Sequence, residues 1–90
     1  MKRIRLSGQY KKDFKRYRHQ TEKVRKLLNI VRMLEYEIEI PAEYKPHKLT
    51  GNYKDCMECH VENDFLLIWF DPNSNDVELL RLGSHSELFK

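Results

Sequence analysis

Three of the four histidines lie close to predicted turns and outside the predicted helices. His47 is in a proline-containing loop, His60 is near the end of a predicted strand, and His85 follows the last predicted strand. Because imidazole titrates near neutrality, two histidines can act as base and acid at physiological pH. An antiparallel meander brings Asp64 and Arg81 near them, and a guanidinium stabilises charge on a phosphate. Together His60, Asp64, His85 and Arg81 fit metal-free cleavage of a phosphodiester, whereas each histidine alone is typical of a surface or structural residue.

Two helices are predicted after a short first strand. Basic and apolar residues alternate from Lys2 to Leu6, which is typical of a strand with one buried face. Ser7 and Thr21 can each cap a helix at its N-terminus. The apolar side chains at helical spacing are Tyr10, Phe14 and Tyr17 in the first helix and Val24, Leu27, Leu28, Val31 and Leu34 in the second. The very short turn between them predicts a helix hairpin.

Three strands joined by tight turns are predicted in the C-terminal half. They are residues 53–61, Phe65–Phe70 and Val77–Leu82, and an ordered loop over Pro41–Gly51 precedes them. The predicted order is β-α-α-β-β-β in a single domain over residues 1–90. It is an α+β fold with a mostly antiparallel sheet, one face covered by the helix hairpin and the other open. An open face offers a shallow groove, which suits a polymer better than a small metabolite.

Charge is distributed unevenly along the 90 residues. Residues 1–34 hold 12 Lys and Arg against 2 Asp and Glu, a formal charge of +10, and residues 35–90 carry −7. This split favours a polyanionic or acidic partner on the N-terminal side, and a solvated helical face is the equal alternative. The longest apolar run has six residues, too few to span a bilayer, and no secretory signal is found. We therefore expect a protein of the reducing cytoplasm.

Cys56, Cys59 and His60 fit the C-x-x-C-H pattern of c-type haem attachment. Haem attachment normally follows export, however, and residues three apart in a strand point to opposite faces. A zinc site is also weakly supported, because structural zinc sites usually combine two paired clusters of ligands. We expect free thiols that bind neither haem nor zinc.

Four segments make the chain recognisable at the level of a family. They are Ser7–Asp13, Lys45–Gly51, Glu58–Asp64 and Arg81–Phe89. In this order and at this chain length they resemble the bacterial RelE/ParE toxin superfamily, and within it most closely the YafQ-like branch. The resemblance extends over the full length of the chain.

The resemblance implies a RelE-like ribonuclease fold and the activity of an mRNA interferase, the toxin of a type II toxin–antitoxin system. Members of the branch cleave messenger RNA, typically in the ribosomal A site. The implied chemistry is attack of a ribose 2′-OH on the adjacent phosphorus, with no cofactor and no metal. The implied partners are a cognate antitoxin, mRNA and the ribosome. Operator DNA is bound only through the antitoxin complex, and no membrane is involved.

The resemblance also assigns residues to the site. The implied catalytic residues are His47, His60, Asp64, Arg81 and His85. We expect His85 to be the acid, His47 or Asp64 the base, and His60 the residue that orients the phosphate. The expected RNA-binding residues are Lys11, Lys12, Lys15, Arg16, Lys48, Lys54, Phe65 and Phe89. Phe65 stands where the branch often has an indole, so stacking on a base is retained and the indole N–H is lost.

Two other classes of protein remain as alternatives. A non-catalytic ParE-like toxin inhibits a topoisomerase by binding, but that branch generally lacks the set of histidines. A basic nucleic-acid-binding module needs neither Asp64 nor three histidines near the edge of a sheet.

Overall fold

The computed structural model describes residues 1–89, which form one five-stranded sheet with helices on both of its faces. The elements in chain order are β1 (Arg3–Leu6), α1 (Gly8–Lys15), α2 (Thr21–Glu35), β2 (His47–Lys48), β3 (Met57–Glu62), β4 (Phe65–Phe70), β5 (Asp76–Gly83) and α3 (His85–Leu88). The sheet order is β1-β5-β4-β3-β2, in which β1 lies parallel to β5 and the other pairs are antiparallel. The predicted α+β class and the mostly antiparallel sheet are confirmed. Among residues 1–89, no helix has the length and apolar character needed to cross a membrane.

The two long helices begin differently. Ser7 caps α1 as predicted, because its Oγ accepts the backbone N–H of Tyr10 at 2.9 Å. The prediction that Thr21 caps α2 is wrong: Gln20 precedes the helix and makes no side-chain cap bond, and Thr21 is the first helical residue.

The main core lies between the helices and one face of the sheet. From α2 it takes Leu27 and Ile30, which are fully buried. Leu28, predicted to belong to the buried stripe, is 55% exposed instead. It lies about 100° around the helix from Leu27 and therefore points away from the sheet.

The opposite face of the sheet, predicted to be open, is partly covered. Leu66 and Ile68 of β4 pack there with Leu88 of α3, and loop residues complete this second cluster. Successive residues of a strand face opposite sides, so the continuous apolar run of β4 supplies both cores. The run is apolar throughout because both faces of β4 are buried.

The two cysteines belong to different cores. Cys59 lies in the main core and Cys56 in the second cluster, so the predicted divergence of the thiols is confirmed. Burial raises the pKa of the Cys59 thiol to about 12. The thiol is therefore protonated at neutral pH and is a poor nucleophile.

β2 was not predicted, because the sequence analysis treated Pro41–Gly51 as a loop throughout. The strand has only two residues and pairs antiparallel with β3, so that His47 lies opposite Glu58. Two residues carry no recognisable periodicity. This short pairing nevertheless places the loop histidine on the sheet.

Candidate active site

Three histidines from three elements converge on the face of the sheet that carries the second cluster. His47 comes from β2, His60 from β3, and His85 is the first residue of α3. The His60 ring centroid is 6.5 Å from that of His47 and 5.6 Å from that of His85. We call these three residues the histidine cluster. A single phosphate group can contact two of its rings at once.

Asp64 holds His85 in a defined orientation. One carboxylate oxygen of Asp64 lies 2.7 Å from Nδ1 of His85 and also accepts the His85 backbone N–H at 2.9 Å. These bonds, the backbone one foremost, hold the pKa of Asp64 below its ordinary value. The carboxylate is therefore ionised at neutral pH, and Nδ1 of His85 donates the proton between them. Nε2 of His85 stays available to a substrate.

A second carboxylate, that of Glu87, fixes the short helix that carries His85. Glu87 accepts the backbone N–H of Ser84 at 2.8 Å, while Ser84 Oγ accepts that of Glu87, which is a capping box. The Tyr17 hydroxyl donates to Glu87, and Arg16 forms an ion pair with it at 3.2 Å. Glu87 therefore attaches α3 to α1.

Both ring nitrogens of His47 face acceptor groups. Nδ1 lies 2.8 Å from the carbonyl oxygen of Lys45, and Nε2 lies 3.2 Å from Oε1 of Glu58. A carbonyl can only accept, so Nδ1 carries a proton. Nδ1 therefore donates to Lys45, and Nε2 is directed at Glu58.

Glu58 is a site residue that the sequence analysis did not single out. Its side chain is 4% exposed, and within residues 1–89 its Oε2 has no hydrogen-bond partner. Glu58 alternates with the apolar residues of β3, which is the pattern of a solvated strand face. The second cluster covers that face, and no local pattern could have shown it.

Arg81 lies on the same face as the histidine cluster but further across the sheet. It pairs with Ile68, which pairs with Glu58, so the backbones of Arg81 and Glu58 are about 10 Å apart. Its guanidinium donates to Asp13 at 2.8 Å and to the Tyr53 hydroxyl at 3.1 Å. The hydrogen bonds found within residues 1–89 engage three of its five N–H groups. Two donors thus remain for a phosphate.

Asp13, a further residue that sequence reasoning missed, anchors Arg81. It is fully buried and accepts the backbone N–H of Leu82 at 3.0 Å, just beyond the part of β5 that β1 covers. Burial by itself raises the pKa of Asp13, but hydrogen bonds from Arg81, from Leu82 and from Gln9 outweigh it and hold that pKa below 3.8. The carboxylate is ionised and completes the edge of the sheet.

The two aromatic residues expected to bind RNA have different surroundings. Phe89 is 43% exposed, and its ring centroid lies 6.4 Å from that of His85 and 5.9 Å from that of Tyr53. Phe65 is 1% exposed and packs on Tyr17 with ring centroids 4.7 Å apart. The expectation that Phe65 stacks on a base is therefore wrong, because its ring belongs to the core.

The cations expected to bind RNA are exposed but do not form one patch. Lys11, Lys12, Lys15 and Arg16 lie on or next to α1, which packs against β5. Lys48 is on β2, at the opposite edge of the sheet. Lys54 is exposed directly after Tyr53. Among residues 1–89, no group of three or more His, Cys, Asp or Glu is arranged to hold a metal ion.

Comparison with known proteins gives a consistent result. The family model described as the bacterial toxin of type II toxin–antitoxin systems, YafQ, matches residues 2–90. The mRNA interferase toxin YafQ of Escherichia coli K12 is 34% identical over 87 residues, which are 96% of this chain and 94% of the relative. YafQ in the E. coli DinJ–YafQ complex superposes with a TM-score of 0.87 at 31% identity, covering both chains completely. A metal-bound toxin from Helicobacter pylori superposes with a TM-score of 0.87 at 38% identity, over 99% of this chain and 100% of the other.

Proposed function

The chain belongs to the family of YafQ toxins of bacterial type II toxin–antitoxin systems, and on that premise we propose that it is an mRNA interferase, an endoribonuclease that a cognate antitoxin neutralises. The observation in the molecule that supports this function best is the histidine cluster with Asp64. A ParE-like inhibitor or a simple basic binding module has no use for such a cluster. The alternatives considered from the sequence are therefore set aside.

The reaction we propose is an intramolecular phosphoryl transfer, in which phosphorus exchanges its bond to the 5′-oxygen for a bond to the 2′-oxygen. The ribose 2′-OH loses its proton to a base and bonds to the adjacent phosphorus, while the bond from phosphorus to the 5′-oxygen breaks. An acid protonates that oxygen. The products are a 2′,3′-cyclic phosphate and a 5′-hydroxyl, and no other reactant is needed.

The hydrogen bonds support different proposed roles for the carboxylates and the histidines. We assign the acid to His85, since Asp64 fixes the ring through Nδ1 and leaves Nε2 directed to the substrate. Asp64 then positions His85 and is not itself the base. Both nitrogens of His47 are occupied, which leaves His60 as the base in the arrangement described. The free donors of Arg81 neutralise charge along the strand, and Phe89 stacks on a base next to the cut.

We further propose that the toxin acts on ribosomes in the cytoplasm. The cations of α1 supply contacts to ribosomal RNA that do not depend on sequence. α1 packs on β5, whereas His60 and His47 lie on β3 and β2, towards the other edge of the sheet. The protein can therefore bind a large RNA and expose its active site to the message.

The antitoxin has a suitable surface on the helix side. An apolar groove of about 200 Å³ runs between β1, α1 and α2. Leu6 and Leu28 line it and are 45% and 55% exposed. Because residues 1–34 carry a formal charge of +10, we propose an acidic segment with one apolar face as the occupant. Bound there, the antitoxin covers cations that ribosome binding needs.

Single-turnover cleavage of mRNA on saturating ribosomes tests the proposed function. His85→Ala should slow cleavage by at least about 100-fold, the usual scale for losing an acid–base group. The matched control is His19→Ala, because His19 is exposed in the turn between the two helices. Sequencing of the cut ends must find 5′-hydroxyls. Parent protein that cuts no message, or a His85→Ala variant that cuts at the parent rate, contradicts the proposal.

A further inference from the structure

A polar cavity of about 380 Å³ lies directly beside the histidine cluster. Its walls come from α2, from the turn at Ala42–Tyr44 and from the turn between β3 and β4. This volume is within the range of pockets that bind small organic groups. We call it the α2 cavity.

The α2 cavity is connected to two residues of the histidine cluster. His60 itself forms part of the wall. Lys45, another wall residue, accepts the hydrogen bond from Nδ1 of His47 through its backbone carbonyl. A strand of RNA whose phosphodiester lies over the cluster therefore has its neighbouring nucleotide at the mouth of the cavity.

Of the two acidic wall residues, Glu43 is exposed to solvent and Glu62 is neutralised by ion pairs. The two carboxylate oxygens of Glu62 lie 2.5 Å from Nζ of Lys23 and 2.9 Å from Nζ of Lys26. These contacts also fix the turn between β3 and β4 against α2. The rim is consequently rigid, and the carboxylate presents little repulsion to a polyanion.

The remaining wall residues carry the chemistry that reads a nucleotide. The side-chain amides of Asn29 and Asn63 each offer donors and an acceptor, as base edges require. Tyr44 contributes a half-buried aromatic ring, and bases stack on such rings. Lys45 contributes an exposed cation at the position of a flanking phosphate.

We propose that the α2 cavity binds the base of the nucleotide next to the scissile phosphodiester, and that Asn29 and Asn63 select it by hydrogen bonds. The inference rests on the proposed ribonuclease function and adds the position of its sequence preference. Lys45 holds the backbone of the same nucleotide without reading it. Selection and catalysis are then carried out by different residues.

The test compares cut-site profiles on ribosomes programmed with messages that are randomised around the cleavage position. Asn29→Ala and Asn63→Ala should each lower the rate at the preferred sequence by about tenfold and leave disfavoured sequences unchanged, since only the preferred base loses a hydrogen bond. Alanine at position 29 also favours the helix, so a lost preference is not a folding defect. Asn75→Ala is the matched control, because Asn75 is exposed in the turn between β4 and β5, at the other end of the sheet.

Lys45→Gly separates the side chain from the backbone. Lys45 has a left-handed conformation with φ of 52°, which glycine adopts readily, so this variant keeps the loop and removes only the cation. We expect weaker binding of all messages and an unchanged profile. Asn29→Ala and Asn63→Ala variants that both retain the parent profile overturn the inference while the ribonuclease function stands. Absence of any cleavage by the parent protein overturns the function itself.

Discussion

Asp13→Asn is expected to lower the free energy of unfolding strongly although it replaces only one carboxylate oxygen with an NH₂ group. Each carboxylate oxygen of Asp13 accepts two donors: Oδ1 faces Gln9 and Nη2 of Arg81, and Oδ2 faces Leu82 N–H and Nε of Arg81. The side-chain amide of the Asn variant has two orientations, and in each of them its NH₂ group faces one of these two pairs of donors. The buried carboxylate therefore has no isosteric replacement.

The magnitude follows from what the substitution leaves unpaired. A buried backbone N–H without a partner costs about 1–3 kcal/mol, and loss of a buried ion pair costs about 3–5 kcal/mol. Arg81 is 20% exposed and can turn partly to water, which reduces the second cost. We expect Asp13→Asn to lower the free energy of unfolding by about 3 kcal/mol in total, which is equivalent to a fall in Tm of about 12–24 °C for a domain of this size.

Urea denaturation at several pH values measures this effect. Because the folded-state pKa of Asp13 lies below 3.8, its contribution is complete above that pH and is lost as the pH falls through the folded-state pKa. The difference between parent and Asp13→Asn should therefore shrink in acid. Asp55→Asn, at an exposed position, is the control. A loss below about 1 kcal/mol, or equal losses in both variants, refutes the reasoning.

Three further predictions concern the surfaces. Lys11→Glu combined with Lys15→Glu should weaken ribosome binding, as measured by co-sedimentation, while leaving the rate at saturation within about twofold, because contacts to phosphates supply affinity and not chemistry. Phe89→Ala should slow cleavage about tenfold or more with little change in Tm. Phe65→Ala, in contrast, should lower the free energy of unfolding by about 3–5 kcal/mol. The opposite pattern would mean that the roles of the two aromatic residues are misassigned. Leu28→Asp should reduce antitoxin affinity in calorimetry by at least about tenfold and leave cleavage unchanged, and full affinity would place the antitoxin elsewhere.

Local sequence patterns predicted the elements that depend on local interactions. The strand Phe65–Phe70 has the predicted bounds, and Ser7 caps α1 through a bond within its own first turn. Predictions of burial were less accurate. Leu28 continues the apolar stripe of α2 but lies outside the face of α2 that packs on the sheet. How much of a helix surface is buried depends on the element that packs against it, and local periodicity does not describe that element.

The candidate site was predicted in its histidines and in Asp64, but not in the acids that contact His47 and Arg81. The resemblance indicated His60, His85 and Asp64, and the structure brings these three together. Asp13 lies 68 residues before Arg81 in the chain, and Glu58 resembles a solvated residue of an alternating strand. Both are acids whose partners are supplied only by tertiary structure. Positioning residues of this kind carry no local signature.

The attachment of α3 has a consequence for how the toxin loses activity. A helix of four residues has no stability of its own, so His85 keeps its position through Asp64 and through the contacts of Glu87 with Tyr17, Arg16 and Ser84. The main core contains no residue of α3, and Leu88 is the residue of this helix that packs in the second cluster. The C-terminal segment can therefore open as a separate cooperative unit at a lower free energy than the whole domain. We therefore expect mild denaturant to lower the activity of the enzyme before the core unfolds.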